Sequence, residues 1–271
     1  MKKMMKVAAM LAAVVLAAGM TACQKSAGTA KAAKPTPVNE FSRELTEDAS
    51  GVRILKYNGS AKSVVIPAEI EGLPVKEIVG NAFKDNETLK SVTIPDSVEK
   101  IIHAFNGCTA LESVTLGNSV QIIDYYAFNG CTALKSITIP DSVQEIGNFA
   151  FLGCTALKSV TLGNSVQEIG NYAFNGCTAL KSVTIPDSVE KIGGSAFNGC
   201  TALESVTLGN SVQEISHFAF SNCTFLQSLT IPDSLQKIKF TYGSTNYGFT
   251  GTELPLATQA RLKALGYMCG F

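Results

Sequence analysis

Six cysteines are the residues of this sequence whose type and spacing could do chemistry. They recur every 23 residues in near-identical surroundings, as in NGCTALKSVTIPDSV, at Cys108, Cys131, Cys154, Cys177, Cys200 and Cys223. Regularly spaced thiols are typical of metal sites, disulfide frameworks or redox centres. The same spacing also arises when one structural unit is repeated and its thiols only pack in the core.

The setting of these cysteines favours a structural role. Zinc sites use closely spaced pairs of cysteines, whereas here the six thiols are far apart in sequence. Stacked coils would bring parallel thiol side chains to about 5 Å, a poor geometry for the perpendicular disulfide torsion. Asn86 occupies the equivalent position in the first coil, and like Cys it is small and can donate a hydrogen bond to a backbone carbonyl. We therefore predict a structural ladder of Asn86 and the six thiols, with some disulfides as the alternative.

No other arrangement in the sequence favours catalysis. The two histidines, His103 and His217, lie five coils apart and cannot form one site. Serines and threonines recur in every coil, so none has the unique histidine partner that nucleophilic catalysis needs. A calcium ladder would lack every second carboxylate, because Asp141, Asp187 and Asp233 alternate with asparagines. We expect no enzyme activity, no cofactor and no metal.

The cysteines belong to a repeat that must position them. An Ala-Phe pair recurs every 23 residues from Phe105 onward, with apolar columns at fixed offsets, in one coil Leu180, Val183, Ile185, Val189 and Ile192. A period in the twenties with stacked apolar positions predicts a solenoid. The S-V-T-I segment of each coil alternates polar and apolar residues, which predicts a half-buried strand. The V-x-x-I segment is expected on the opposite side of the coil.

The predicted strands end alternately at proline and at glycine. The prolines are Pro95, Pro140, Pro186 and Pro232, and the glycines between them are Gly117, Gly163 and Gly209. Both residue types suit a turn, because proline offers no ladder N–H and glycine relaxes the backbone restriction. The strict alternation predicts that the true sequence unit is a pair of coils, 46 residues long.

The coil pattern resembles that of a known family. C-x-x-L-x-x-V-x-I-P-x-x-V-x-x-I-x-x-x-A-F-x-x, as in residues 177–199, is similar to the repeats of BspA-like (treponemal-type) surface antigens, over about residues 57–250. The resemblance implies a leucine-rich repeat solenoid, mainly β, with a parallel strand sheet on one face. It also implies protein partners, such as the host extracellular-matrix proteins fibronectin or fibrinogen, or other bacterial cells.

The N-terminus has the layout of an export signal. Three lysines precede the apolar run 7–22, which at 16 residues is shorter than the roughly 20 needed to span a bilayer. The residues Met-Thr-Ala-Cys ending at Cys23 resemble a bacterial lipoprotein signal, so we expect lipidation of Cys23, with an ordinary cleaved signal as the alternative. Lipidation implies an outer-membrane or cell-surface location, which Gln24 favours by analogy with familiar lipoproteins. The alternative is a periplasmic scaffold without a host partner.

These patterns divide the chain into five parts. The predicted parts are a signal peptide (1–22), a lipidated N-terminus and flexible tether (23–40), an N-terminal cap with the first coil (41–83), leucine-rich repeats (84–250) and a C-terminal cap (251–271). Residues 41–56 can make a hairpin. Residues 253–267 are expected to form a short helix, since Pro255 lies near its start and Gly266 past its end.

The strand face is the candidate binding surface. Its predicted outward columns are Lys135, Lys158 and Lys181, then Ser136, Ser159 and Ser182, then Thr138, Thr161 and Thr184. The three lysines predict a continuous positive stripe that favours an acidic protein partner. The alternative is a solvated sheet in which Ser and Thr only suit strand geometry. Because 22 basic residues balance 22 acidic ones, we expect no nucleic-acid partner, and membrane contact through the lipid anchor alone.

Overall fold

The computed structural model describes residues 34–233, 235 and 249–265, which wind into a solenoid of short β-coils. The predicted signal peptide 1–22, the predicted lipidation site Cys23 and the tether up to residue 33 lie outside the described residues. Neighbouring coils pair in parallel at equivalent positions, as where Ile137 lies opposite Val160. The predicted fold class is confirmed.

An antiparallel hairpin and an irregular first coil begin the solenoid. As predicted for residues 41–56, β1 (Phe41–Leu45) pairs with β2 (Val52–Tyr57) in antiparallel orientation. The first coil then contains β3 (Ser63–Val65), β4 (Glu69–Ile70) and β5 (Leu73–Ile78).

The folded part of the chain begins earlier than the predicted end of the tether at residue 40. A 3-10 helix covers Val38–Glu40. The Thr36 N–H donates to the Val65 carbonyl at 2.9 Å, and Thr36 Oγ1 accepts from the Val65 N–H at 3.0 Å. Apolar periodicity could not predict this contact, because backbone and hydroxyl groups make it.

From residue 91 onward each coil carries two short strands, except the last, in which the structure describes one. In chain order these are β6 (Ser91–Thr93), β7 (Lys100–Ile102), β8 (Ser113–Thr115), β9 (Ile122–Asp124), β10 (Ser136–Thr138), β11 (Glu145–Ile146), β12 (Ser159–Thr161), β13 (Glu168–Ile169), β14 (Ser182–Thr184), β15 (Lys191–Ile192), β16 (Ser205–Thr207), β17 (Glu214–Ile215) and β18 (Ser228–Thr230). Within this series from β6 to β18, the even-numbered strands are the predicted S-V-T strands. We call the surface that they form the strand face. The odd-numbered strands contain the V-x-x-I isoleucines and form a second sheet, which β5, β2 and β1 continue to its N-terminal edge.

A column of stacked phenylalanine rings runs through the coils. From Phe83 to Phe220 successive ring centroids lie 4.8–5.3 Å apart, and Phe249 extends the column at 5.4 Å. Stacked aromatic pairs contribute about 0.5–1.5 kcal/mol beyond the burial of their area. Because each ring packs mainly on rings of other coils, one coil alone could not keep this core together.

A short helix covers the C-terminal end of the stack. Helix α1 spans Leu256–Ala264, inside the predicted helix 253–267, and Pro255 immediately precedes its first residue. Leu262 is fully buried, and Leu265 packs against the core, so the helix takes the place of a further coil. With nine residues, this helix of the described region is too short to cross a membrane.

Candidate functional site

The six repeat cysteines lie in the core and connect consecutive coils. Each Sγ donates to the carbonyl oxygen of a phenylalanine in the preceding coil at 3.0–3.3 Å, as from Cys154 to Phe128 at 3.2 Å. All six thiols are free and fully buried, and burial raises the pKa of Cys154 to about 12. A thiol that remains protonated at neutral pH is a poor nucleophile and a poor metal ligand. The geometry therefore indicates that these thiols have a structural role, which is to connect consecutive coils.

Asn86 stands at the first position of this ladder but bonds differently from the cysteines. Its Oδ1 accepts from the backbone N–H groups of Thr88 at 3.1 Å and Leu89 at 3.0 Å. The sequence prediction of donation to a carbonyl is corrected here, because the side-chain oxygen reaches the N–H groups of its own turn instead. The ladder position thus accepts a small group that bonds the backbone in either direction.

The strand face presents its predicted polar columns to solvent. In the three consecutive strands β10, β12 and β14 a buried central residue is flanked by an exposed serine and an exposed threonine, and a lysine precedes the serine. The exposed residues are Lys135, Ser136, Thr138, Lys158, Ser159, Thr161, Lys181, Ser182 and Thr184. A partner could reach all nine, and their role in binding stays a prediction.

The three lysines of the strand face differ in their ion pairs. Lys135 Nζ lies 2.5 Å from Glu112 Oε2, and Glu112 also pairs with Lys90 at 3.3 Å. Hydrogen bonds from Lys135 and then Lys90 hold the pKa of Glu112 below its usual range. Across the described part of the chain, Lys158 and Lys181 pair with no carboxylate. The positive charge of the predicted stripe is therefore concentrated at these two residues.

Backbone spacing on the strand face alternates between tight and wide steps. In the tight step from β10 to β12, the Lys158 N–H donates to the Lys135 carbonyl at 2.9 Å. From β8 to β10 the equivalent distance, Lys135 N to Glu112 O, is 3.4 Å, and from β12 to β14 the distance from Lys181 N to Lys158 O is also 3.4 Å. The described strands on either side of these wide steps are not paired with each other. We call the β8/β10 step the first seam and the β12/β14 step the second seam.

The alternating turns explain the tight steps. A Cβ at Gly163 would meet the Pro140 carbonyl oxygen at 2.4 Å, and the Asn164 N–H donates to Asp141 Oδ1 at 2.7 Å. These contacts draw each glycine coil onto the proline coil before it. At a seam the order is reversed, and the proline of the later coil has no N–H to donate. The predicted unit of two coils is thus also a unit of strand pairing.

The step from β16 to β18 has the same turn order as the seams, with a proline coil after a glycine coil, but contacts from the C-terminal cap hold its strands together. Strands β16 and β18 remain paired, and the Leu208 N–H donates to the Thr230 carbonyl at 3.1 Å. Arg261 of α1 donates to the Pro232 carbonyl at 3.0 Å and pairs with Asp233 at 3.2 Å. The seams are therefore features of the interior coils.

The residues weighed for metal binding have other partners. Asp141 and Asp187 each accept a backbone N–H from the next coil at 2.7 Å. In the part of the chain that the structure describes, no three His, Cys, Asp or Glu side chains are grouped to hold a metal ion. The His103 ring stacks on Tyr125 with centroids 5.0 Å apart, an aromatic contact rather than a catalytic one.

In-register coils, parallel strands and a core ladder bonded to carbonyls define a leucine-rich repeat solenoid. The family model described as BspA type leucine rich repeat region matches residues 76–203 and 167–242, with six copies of the repeat. These matches cover more than half of the chain, so this protein belongs to the BspA-type leucine-rich repeat family.

A solved structure of a bacterial leucine-rich repeat protein agrees with this assignment. The leucine-rich repeat protein of T. pallidum is 31% identical with a TM-score of 0.67, and the match covers 88% of this chain and 99% of that protein. A leucine-rich repeat protein from Bacteroides ovatus is 21% identical with a TM-score of 0.42, over 80% of this chain and 81% of that one. No curated protein sequence gives a significant match. The predicted resemblance to BspA-like proteins is confirmed.

Proposed function

We propose that this protein is exported, is anchored through a lipid on Cys23, and binds other proteins at the cell surface through its strand face. A role in protein binding is consistent with its family. The observation that supports this face is the pair Lys158 and Lys181, two exposed cations without an ion-pair partner in the described chain. Unpaired surface charges raise association rates and select partners of opposite sign.

The second seam is the proposed centre of binding. Lys158 and Lys181 stand on its two sides, and the exposed hydroxyls of Thr161 and Thr184 lie two residues beyond the strand starts on the same strands. The amides of Leu116 and Leu162 at the two seams make no bond to the following coil within the described residues. An acidic segment of a partner could pair with the lysines and accept hydrogen bonds from the hydroxyls, since these groups donate from a rigid surface.

The binding experiment compares charge reversals on one face. Immobilised fibronectin and fibrinogen serve as probes, because the family resemblance suggests matrix proteins. We expect Lys158→Glu with Lys181→Glu to weaken binding about tenfold or more, and Lys135→Glu to have a smaller effect because Glu112 already neutralises it. Equal losses in the double variant and in Lys135→Glu would contradict a site centred on the second seam, and unchanged binding would move the site to another face.

The proposed location has a separate test. Incorporation of a labelled fatty acid should require Cys23 and be lost in Cys23→Ser. Protease added to intact cells should cut a surface protein and spare a periplasmic one. Full protection in intact cells, with digestion after the outer membrane is opened, would favour the periplasmic scaffold instead.

A further inference from the structure

A second surface, chemically unlike the strand face, is formed by aromatic residues at the ends of the odd-numbered strands. We call it the aromatic edge and define it as His103, Tyr125, Tyr126, Phe149 and Tyr172. Four of these residues have left-handed backbone conformations, with φ of 57° at His103, 58° at Tyr126, 60° at Phe149 and 57° at Tyr172. Bulky residues rarely adopt such angles, and each costs about 1–3 kcal/mol unless its surroundings compensate.

Ring stacking provides part of the compensation. Tyr126, Phe149 and Tyr172 stack in consecutive coils, with centroids 4.8 and 5.0 Å apart and planes within 10° of parallel. Glycine would fit the left-handed positions without strain, yet the sequence places rings there. The stack explains why the rings are tolerated, while their exposure calls for a separate reason.

Two rings of the aromatic edge remain exposed beside the other rings. Tyr125 contacts three rings, since His103 stacks on it at 5.0 Å and 29° and Tyr126 and Phe149 lie T-shaped to it at 4.5 and 5.7 Å. Tyr125 nevertheless remains 40% exposed. Tyr172 ends the stack, because the next coil has Ser195 at the equivalent position, and it is 39% exposed.

Two carboxylates without an ion-pair partner among the described residues lie on the neighbouring strands β9 and β11 that lead to these rings. Asp124 directly precedes Tyr125 and accepts its backbone N–H at 2.6 Å. Glu145 lies opposite Glu168 in the paired strands β11 and β13. Partial burial, then repulsion by Asp124 and Glu168, raises the pKa of Glu145. Glu168 pairs with Lys191 at 2.7 Å, whereas Asp124 and Glu145 have no cation partner in the described part of the molecule.

We propose that the aromatic edge docks an arginine-bearing segment of a partner protein, with a guanidinium packed on the exposed part of the Tyr125 ring and neutralised by Asp124 and Glu145. Guanidinium is planar, stacks on aromatic faces and bonds carboxylates in a bidentate manner, which a lysine ammonium does not. A neutral ligand such as a sugar chain could use the rings but would leave the carboxylates without a counter-charge. This surface is independent of the strand face, so the protein would hold two partners of opposite charge.

The test uses nona-arginine and nona-lysine peptides as probes, with binding followed by fluorescence anisotropy at low and moderate salt. We expect nona-arginine to bind at least about fivefold more tightly than nona-lysine, because stacking distinguishes the two cations. Tyr125→Leu and Glu145→Gln should each weaken nona-arginine binding about fivefold or more, while Tyr125→Phe keeps the ring face and should bind within about twofold of the original.

Controls keep the outcome interpretable. Phe225→Leu removes another exposed ring, 58% exposed and three residues before β18, and should leave nona-arginine binding unchanged. Circular dichroism checks folding, and Tyr172→Leu replaces Tyr125→Leu if the latter unfolds. Equal binding of the two peptides, or full binding by Tyr125→Leu, would overturn the proposal. Binding of a neutral oligosaccharide that survives Glu145→Gln while nona-arginine does not bind would also overturn it.

Discussion

The two seams of the strand face share one backbone arrangement and differ in charge. At the first seam Glu112 and Lys135 face each other and pair at 2.5 Å. At the second seam the equivalent positions carry Lys158 and Lys181, like charges on either side of an equally wide step. One substitution in a repeated position is therefore enough to make one site on a repetitive solenoid chemically different from the others. In this chain the substitution is a lysine where the preceding glycine coil has a glutamate.

The largest expected effect comes from opening a tight step. Gly163→Ala would place a Cβ 2.4 Å from the Pro140 carbonyl oxygen, so the β10/β12 step should widen into a third seam. Because the clash is with backbone, we expect the free energy of unfolding to fall by about 3 kcal/mol in urea denaturation. Gly153→Ala is the control without a steric clash, since a Cβ there has no neighbour within 4 Å; its left-handed φ of +68°, a strain that Gly163 does not have, should cost about 1 kcal/mol. Equal losses in the two variants would contradict the role assigned to the Pro140 contact.

The thiol ladder should matter more beneath a seam than beneath a tight step. The Cys177 Sγ connects coils across the second seam at 3.3 Å, and the Cys154 Sγ does so across a tight step at 3.2 Å. Replacement by Ala removes the buried thiol hydrogen bond and leaves each carbonyl with one backbone donor, the Cys154 N–H for Phe151 and the Cys131 N–H for Phe128, both at 3.2 Å. We expect losses of about 2 kcal/mol for Cys177→Ala and about 1 kcal/mol for Cys154→Ala. Thermal and urea unfolding would measure both. A larger loss for Cys154→Ala would contradict the view that the core holds the seams together.

If the second seam is given the charge pattern of the first, the free energy of unfolding and the binding affinity should change in opposite directions. In Lys181→Glu the new carboxylate faces Lys158, as Glu112 faces Lys135. The resulting surface ion pair should raise the free energy of unfolding by less than about 1 kcal/mol. Binding of the matrix-protein probes should nevertheless decrease, because the free positive charge disappears. Lys181→Gln is the control that removes charge without adding a pair, and a binding loss in neither variant would refute the proposed site.

The smallest expected effect is the acid response of the first seam. The pKa of Glu112 is lowered by Lys135 and Lys90, so its ion pairs stabilise the fold above the unfolded-state pKa and are lost as pH falls through the lowered folded-state pKa. We expect the stability of the original protein to decline between about pH 5 and pH 3 slightly more than that of Glu112→Gln. Parallel pH profiles for the two proteins would contradict this assignment.

Much of the fold could be predicted from the sequence because its periodicity is strong. The 23-residue spacing of Phe151, Phe174 and Phe197 places their rings in one column, and the S-V-T alternation identifies the strands. The alternation of Pro140 and Gly163 also predicted the unit of two coils. These features depend only on which residue type recurs at the equivalent position of each coil, so a single sequence is sufficient to predict them.

The seams and the aromatic edge depend on relations between coils that no column reveals. Whether Lys135 is neutralised depends on whether the side chain of Glu112 in the neighbouring coil reaches it. Whether a step between two strands is tight or wide depends on whether the proline turn or the glycine turn comes first. The column containing Tyr126 and Phe149 was visible in sequence, but its left-handed backbone and exposed ring faces were not. The bond direction at Asn86 likewise depends on turn geometry rather than on residue type.

The pairing of proline and glycine turns also constrains how such a chain can change its length. If recombination between near-identical gene segments removed or added two coils, every Asp–Asn contact like that of Asp141 with Asn164 would find its partner again. A change by one coil would break the phase at the junction and leave one aspartate without its asparagine. Homologues of different lengths should therefore differ mostly by multiples of 46 residues within this part of the repeat.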